Sequence, residues 1–343
     1  MTGASFGMDM TSEQTSPSSD LERGLNALAP RLGAGAEAIA GLRRLSAGAS
    51  QELWRFDLVA GETRTPVILR RAPGGDRVSP TAAGLETEAR LMEAAAAVGV
   101  PVPPVLYVFA PEDGLGRGFV MGFVEGETLG GRIVKSPALA PARAILARQC
   151  GEILARLHTI DADAFPDLRR STPADLVAQW RESYRASNWP RPVFELAFRW
   201  LSQNIPEPLD RPRLVHGDFR NGNLMIGPDG VRAVLDWELA HVGDPMEDLG
   251  WICVNSWRFG VEDKPVGGFG EREDLFAGYE AAGGAPVNRA AIRWWETFGS
   301  LRWGVMCSGM AAAFRTVDPS VERAVIARRT SETEIDLMRL LAA

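Results

Sequence analysis

Along the first third of the chain apolar positions come in short alternating runs, and beyond it they repeat at helical spacing. Leu21, Leu25, Leu28 and then Ile39 suggest a short helix or two over residues 21–42. On either side of Gly61-Glu62-Thr63 the pattern changes. Leu53, Phe56, Leu58 and Val59 precede it and Val67, Ile68 and Leu69 follow, which reads as strand, turn, strand. Residues 84–97 are rich in helix formers, with Leu85, Ala89, Met92 and Ala96 apolar; Gly99 closes that helix, and Pro101, Pro103 and Pro104 forbid its continuation. VLYVFA (105–110) and GFVMGFV (118–124), with Pro-Glu-Asp-Gly between them, predict a second pair of strands.

After residue 125 helices dominate. In 138–158, Leu146, Cys150, Ile153, Leu154 and Leu157 form a buried stripe. Residues 173–204 read as a helical hairpin broken near Asn188-Trp189-Pro190, and 271–283, 288–314 and 319–341 as further helices. The exception is NLMI-GPDG-VRAVLDW (223–237), two apolar runs around Gly-Pro-Asp-Gly, and so a hairpin. There are no internal repeats. The order predicts an α+β chain of two lobes. A β-rich N-lobe with one helix covers 21–124, and a mainly helical C-lobe with an embedded hairpin covers 125–343.

Composition narrows the function. Of 343 residues 45% are hydrophobic, enough for a sizeable core in each lobe. A net charge of −7 argues against a general nucleic-acid binder. Residues 1–20 are Ser/Thr-rich, with no basic start and no apolar run, and read as a disordered tail rather than a signal peptide. No stretch reaches the roughly 20 apolar residues that span a bilayer, so no membrane partner is expected and the location is read as cytoplasmic. Cys150, Cys253 and Cys307 are far apart, odd in number and form no CxxC. That suits a reducing cytosol and argues against a disulfide framework or structural zinc. The three histidines, His158, His216 and His241, form no HExxH, and no GxxxxGK[ST] is present, so a zincin and a P-loop kinase are excluded. Gly33-Ala34-Gly35-Ala36-Glu37-Ala38 resembles GxGxxA, but no strand precedes it. Nothing in the sequence fixes an oligomeric state.

The densest chemistry lies in 214–251, LVHGDFRNGNLMI…AVLDWELAHVGDPMEDLGW. Asp218 and Asn223 sit five apart on a loop entering a strand, and Asp236 ends the partner strand. The hairpin should therefore bring Asn223 and Asp236 together. Two hard oxygen ligands with few others suit Mg²⁺, which keeps several waters and takes its remaining ligands from phosphates. Asp218, one loop away, is placed to orient an acceptor hydroxyl and take its proton. Phosphoryl transfer asks little else of a protein beyond in-line positioning and charge neutralisation. Asp248, four after Asp244, should start or cap the helix that follows. His158 reads as a core or capping residue, and His216 and His241 as braces of their loops.

HGDFRNGN followed by LDWELAHVGDPMEDLGW resembles the aminoglycoside phosphotransferase/choline kinase-like superfamily, closest to the kinase-like domains associated with acyl-CoA dehydrogenases. The resemblance covers residues 42–315. It implies a bilobal protein-kinase-like fold, ATP (or GTP) with Mg²⁺ as co-substrate, and a small-molecule hydroxyl acceptor, possible acceptors being a hydroxy acid or hydroxyacyl-CoA. Carried over by position, Asp218 is the base, Asn223 and Asp236 hold Mg²⁺, and His216 and Asp244 buttress the loop. Gly48 and Ser50, in a run of small residues between two strand-like segments, match the phosphate-covering loop, where backbone N–H groups meet phosphate oxygens. Glu88 matches the helix glutamate that pairs with a strand cation.

That cation departs from the pattern. The chain has two lysines, Lys135 and Lys264, both beyond the N-lobe. VILRRAP (67–73) puts Arg70 at the position, or in second place Arg71, and arginine reaches phosphates with a bidentate fork where lysine is a point charge. Two alternatives stand beside a hydroxy-acid kinase. One is an aminoglycoside or choline-type kinase, against which Arg181, Arg185, Arg191 and Arg199 outnumber Asp175, Glu182 and Glu195 in 171–204. The other is a catalytically weak pseudokinase that binds nucleotide as a regulator, motivated by the missing lysine.

Overall fold

The computed structural model describes residues 17–33, 35–47, 51–72, 82–316 and 320–342. The chain packs as two compact units. One is Met1–Arg77 with Val105–Phe123, the other Val78–Pro104 with Val124–Ala343.

The first unit is a helix on a sheet. Helix α1 (Pro17–Leu32) begins inside the segment read as a tail. Five antiparallel strands follow, β1 (Ala38–Ala47), β2 (Glu52–Ala60), β3 (Thr63–Ala72), β4 (Val105–Val108) and β5 (Arg117–Gly122), in the order β1-β2-β3-β5-β4. In the β2–β3 ladder Phe56 faces Val67 and Trp54 faces Leu69. Side chains two apart share a face of a strand, so Phe56, Leu58, Val67 and Leu69 line one side. Leu21, Leu25, Leu28 and Leu32 of α1 close over them to form one buried core with Ile39 and Val120.

Ile39 continues the spacing of α1 in the sequence, yet it lies in β1 opposite Leu58. The chain turns back after α1, and the Ile39 N–H donates to Asn26 Oδ1 at 2.9 Å. Two register shifts within β1 break its alternation, which is why no period-2 signal marks it.

The second unit opens with α2 (Leu85–Ala97). It continues with α3 (Gly130–Lys135), α4 (Ala140–Leu157), α5 (Pro173–Ala186) and α6 (Pro192–Gln203). Four short strands come next, β6 (Arg213–Val215), β7 (Leu224–Gly227), β8 (Gly230–Val234) and β9 (His241–Gly243). Helices α7 (Met246–Trp251), α8 (Arg272–Ala281), α9 (Arg289–Thr316), α10 (Val321–Arg328) and α11 (Thr330–Ala342) complete it. The stripe Leu146, Cys150, Ile153, Leu154, Leu157 of α4 is buried. In the 28-residue α9 so are Trp294, Trp295, Phe298 and Leu301. The stretch 319–341, which reads as one helix, is broken at Arg329 with no glycine or proline to signal it.

Candidate active site

Two small ladders hold the chemistry. Strands β6 and β9 pair antiparallel, Val215 opposite His241; β7 and β8 pair likewise, Leu224 opposite Val234. The loops 216–223 and 235–240 each run from one ladder to the other and so lie side by side. A backbone bond ties them, with Leu235 N–H donating to Asn223 O at 2.8 Å.

In the first loop, side chains alternate between burial and display. His216, Phe219 and Asn221 are fully buried. The Asn221 amide donates to the carbonyls of Trp257 and Gly267, pinning the loop to the segment after α7. Gly217 has φ +77, and a Cβ there would meet Leu239 O at 2.5 Å, so glycine is required between His216 and Asp218. His216 Nε2 donates to Leu235 O at 3.0 Å, which leaves Nδ1 to accept the Asp218 N–H at 3.2 Å. One imidazole thus links both loops.

Asp218 is partly displayed. Its Oδ2 accepts from Asn223 Nδ2 at 2.7 Å. Its Oδ1 accepts from Trp251 Nε1 at 2.8 Å and from Arg220 Nε at 3.0 Å. The Arg220 guanidinium lies 4.5 Å over the Trp257 ring. Because a carboxylate only accepts, the Asn223 amide must present nitrogen to Asp218, and its oxygen is the end left for a metal. Asp236 has a left-handed backbone, φ 63 and ψ 69. That region is uncommon outside glycine though aspartate tolerates it, and such strain concentrates at working sites. The Trp237 N–H donates to Glu88 Oε1 at 3.3 Å, so α2 braces the turn that carries Asp236.

Among the described residues no cluster of three or more His, Cys, Asp or Glu side chains could hold a metal ion. An Asn223–Asp236 pair still fits Mg²⁺, which is typically bound through one or two carboxylates with waters and substrate phosphates supplying the rest. The same pair would be poor for zinc.

The loop's buttress differs from the expected one. Asp248, not Asp244, holds the backbone. It is fully buried, accepts His216 N–H at 2.8 Å and Gly217 N–H at 2.9 Å, and faces His158 Nε2 at 3.2 Å. Burial pushes the Asp248 carboxyl up, but the hydrogen bond and charge of His158, with His216, outweigh it and hold it below the ordinary aspartate range. Asp244 instead caps α7, accepting Met246 N–H at 2.9 Å, and takes Trp295 Nε1 at 2.9 Å. Burial pushes its carboxyl up. The two aspartates exchange the roles read for them because α7 enters with its first turn against the loop, which only coordinates reveal. A second carboxylate one helical turn after the first was the signal available in the sequence.

Arg220 and Trp251 also escaped the sequence reading, whereas His158, read as a core or capping residue, is buried at the C-cap of α4. Gly48 and Ser50 lie outside the described residues. In the first unit Arg71 is committed within its own sheet, its Nε 2.8 Å from Glu52. Arg70 falls on the opposite face of β3, where Nε donates to Gln51 Oε1 at 2.9 Å.

These features define a protein-kinase-like fold with a sheet-bearing unit and a helical unit. The chain belongs to the APH phosphotransferase enzyme family, whose profile matches residues 41–285. It is 34% identical over 200 residues to mouse acyl-CoA dehydrogenase family member 10, a match covering 55% of this chain and 18% of that protein. It therefore spans under a fifth of the length of that relative. A Ralstonia eutropha structure classed with the aminoglycoside phosphotransferases superposes with a TM-score of 0.73 at 24% identity, covering 93% of this chain and 97% of that one. A thermostable variant of the aminoglycoside phosphotransferase APH(4)-Ia, bound to AMP-PNP and hygromycin B, gives 0.62 at 16% identity, covering 94% and 98%.

Proposed function

We propose that the protein is a magnesium-dependent kinase that moves the γ-phosphoryl group of ATP or GTP to the hydroxyl of a small molecule. One observation carries the reading. Asn223 is bonded through its side chain to Asp218 at 2.7 Å and through its backbone to Leu235, the neighbour of Asp236. The backbone leading into Asp236 is thereby tied to the residue that holds Asp218, which supports a joint role for Asp218, Asn223 and Asp236.

In this reading Asp218 takes the acceptor's proton on Oδ2 as the hydroxyl oxygen attacks the γ-phosphorus. The bond to the β-bridging oxygen breaks in line, and the nucleoside diphosphate leaves. Trp251 and Arg220 fix the carboxylate's orientation, and the Arg220 guanidinium offsets charge on the transferring group. Asn223 and Asp236 are the residues that would hold Mg²⁺, which when bound neutralises the phosphate oxygens. His216, Asp248 and His158 keep the loop in register, and Glu88 fixes the turn of Asp236. In the first unit Arg70 is the proposed phosphate-binding cation, and that unit the nucleotide-binding lobe. For the acceptor we favour a hydroxy acid or hydroxyacyl-CoA, a choice supported by the acyl-CoA dehydrogenase name of the mouse relative. Three buried free cysteines suit a reducing, cytoplasmic setting.

The test is Asp218→Asn. ADP formation with Mg-ATP and a panel of alcohols should fall by about 10²–10⁴-fold, while the Mg-ATP-induced rise in Tm persists. Undiminished turnover would remove the base. Wild-type protein that binds Mg-ATP yet never turns over would favour the regulatory reading.

A further inference from the structure

Beside the loop carrying Asp218 lies a small pocket whose charge is unbalanced. Arg169, Arg302, His241 and Glu247 line it, with Gln179 and Trp180. Arg302 is anchored to the catalytic loop, its Nη1 donating to Gly217 O at 3.1 Å. Its guanidinium lies 4.5 Å over the ring of Trp251, and the indole N–H of Trp251 donates to Asp218 Oδ1 at 2.8 Å. One indole ring therefore separates this cation from the proposed base.

The protons can be counted. His241 Nδ1 faces Leu239 O at 3.0 Å and Nε2 faces Glu247 Oε2 at 3.2 Å. A carbonyl only accepts, so Nδ1 carries hydrogen, and the contact between Nε2 and Oε2 needs one more proton on either side. Whichever holds it, the His241–Glu247 pair sums to zero. Glu247 Oε1 lies 3.5 Å from Arg302 Nη1 but adds no net compensation beyond that pair. Two guanidiniums remain. The Nε–H of Arg169 and that of Arg302 are both buried without a hydrogen-bond acceptor. The Arg169 guanidinium is pushed below its ordinary pKa by burial, with the like charge of Arg302 acting in the same direction against the pull of Glu247. Buried donors with surplus positive charge, next to the transfer site, are complementary to anionic oxygens.

We propose that this pocket is the anion subsite of the acceptor: Arg169 and Arg302 bind a carboxylate or phosphate of the molecule whose hydroxyl reaches Asp218. The inference rests on the phosphoryl-transfer reading above. It selects acceptors with an anion several bonds from the hydroxyl, either the carboxylate of a free hydroxy acid or a phosphate of its carrier, and it repels polycations.

The test uses the full chain with Mg²⁺ and a non-hydrolysable ATP analogue. Binding of 6-hydroxyhexanoate, of its neutral methyl ester and of its coenzyme A thioester is followed by tryptophan fluorescence. At least one anionic form should bind about tenfold or more tighter than the ester. Arg169→Gln should bring that ratio close to one, and Arg169→Lys should restore part of it. Preference for the free acid identifies the carboxylate as the anion, and preference for the thioester alone identifies the phosphate. If neither anion is preferred, or if the preference survives Arg169→Gln, the subsite is wrong. ADP formation from the same compounds is scored separately. Absence of any turnover dependent on Asp218 would sink the kinase reading, and the binding ratio would still decide the subsite.

Discussion

The sheet-bearing unit and the 213–251 segment are held together by opposite means. In the former, α1 and one face of the sheet exclude water with leucine, isoleucine, valine and phenylalanine. In the latter, Asp248, His216, His241, Glu247 and Asp244 are all buried, and each has a hydrogen-bond partner, those of Asp248 including His158 at the end of α4. Apolar burial is non-directional, and it fixes where elements pack. A buried polar network is directional, so it fixes where individual atoms point. In the proposed mechanism, the segment that aims the Asp218 carboxylate uses the second means.

That contrast can be broken. The largest effect should come from Asp248→Ala, which strips acceptors from His216 N–H, Gly217 N–H and His158 at once. Leaving buried groups unpaired costs about 3–5 kcal/mol. Urea denaturation should register that loss, and the kcat of the protein still folded should drop too, because the loop loses its register. If kcat per folded molecule is unchanged, Asp248 does not position the loop. Leu25→Ala, at a fully buried site in the other region, should cost about 3 kcal/mol through lost burial and a cavity. Its kcat per folded molecule should stay at the wild-type level.

Legibility in the sequence follows the same division. Phe56, Leu58, Val67 and Leu69 announced their strands because one face of a sheet records itself as alternation. Strand β1 showed only as a strand-like run before Gly48, its start falling within the helical reading of 21–42, because its register shifts erase that record. At the site, it could be read that the loops carrying Asp218, Asn223 and Asp236 lie together, since loop and hairpin connectivity constrain which segments meet. What holds them could not. Assigning the buttress to Asp244 rather than Asp248 is a matter of which way one helical turn faces, and Arg220 and Trp251 reach Asp218 through side-chain geometry with no periodic trace. Which of Arg70 and Arg71 faces the interior of its own sheet follows from the pairing of β2 with β3, also unavailable beforehand.

The two aspartates offer a finer comparison through pH. Asp248 is held below the ordinary aspartate pKa in the fold. It contributes stability that is fully present above about pH 4 and is lost as pH falls through its depressed folded value. Asp244 is pushed the other way. Its protonated form suits the fold, so stability declines as pH rises from about 4 through its raised folded value. Chemical denaturation across the acid range should therefore show the two slopes separately. Asp248→Asn should flatten the slope below about pH 4, and Asp244→Asn the one above it. The same change in both variants would mean that the two carboxylates share one role.

The smallest effect is the most discriminating for the first unit. Arg71 and Glu52 are directly paired across the β2–β3 ladder, with Arg44 and Trp54 also on Glu52. Burial raises the Glu52 carboxyl, yet these donors outweigh it and leave it below its ordinary value. Replacing a buried ion pair by apolar groups of similar volume is often neutral. The double variant Arg71→Met, Glu52→Leu should accordingly change stability by less than about 1 kcal/mol. Its Mg-ATP-induced rise in Tm should equal that of wild type, because Arg71 is spent inside its own sheet. Arg70→Met should reduce that rise, since Arg70 lies on the other face of β3. If the double variant loses nucleotide binding while Arg70→Met keeps it, the two arginines have been assigned the wrong way round. The sheet would then depend on a placed charge as much as the Asp218 loop does.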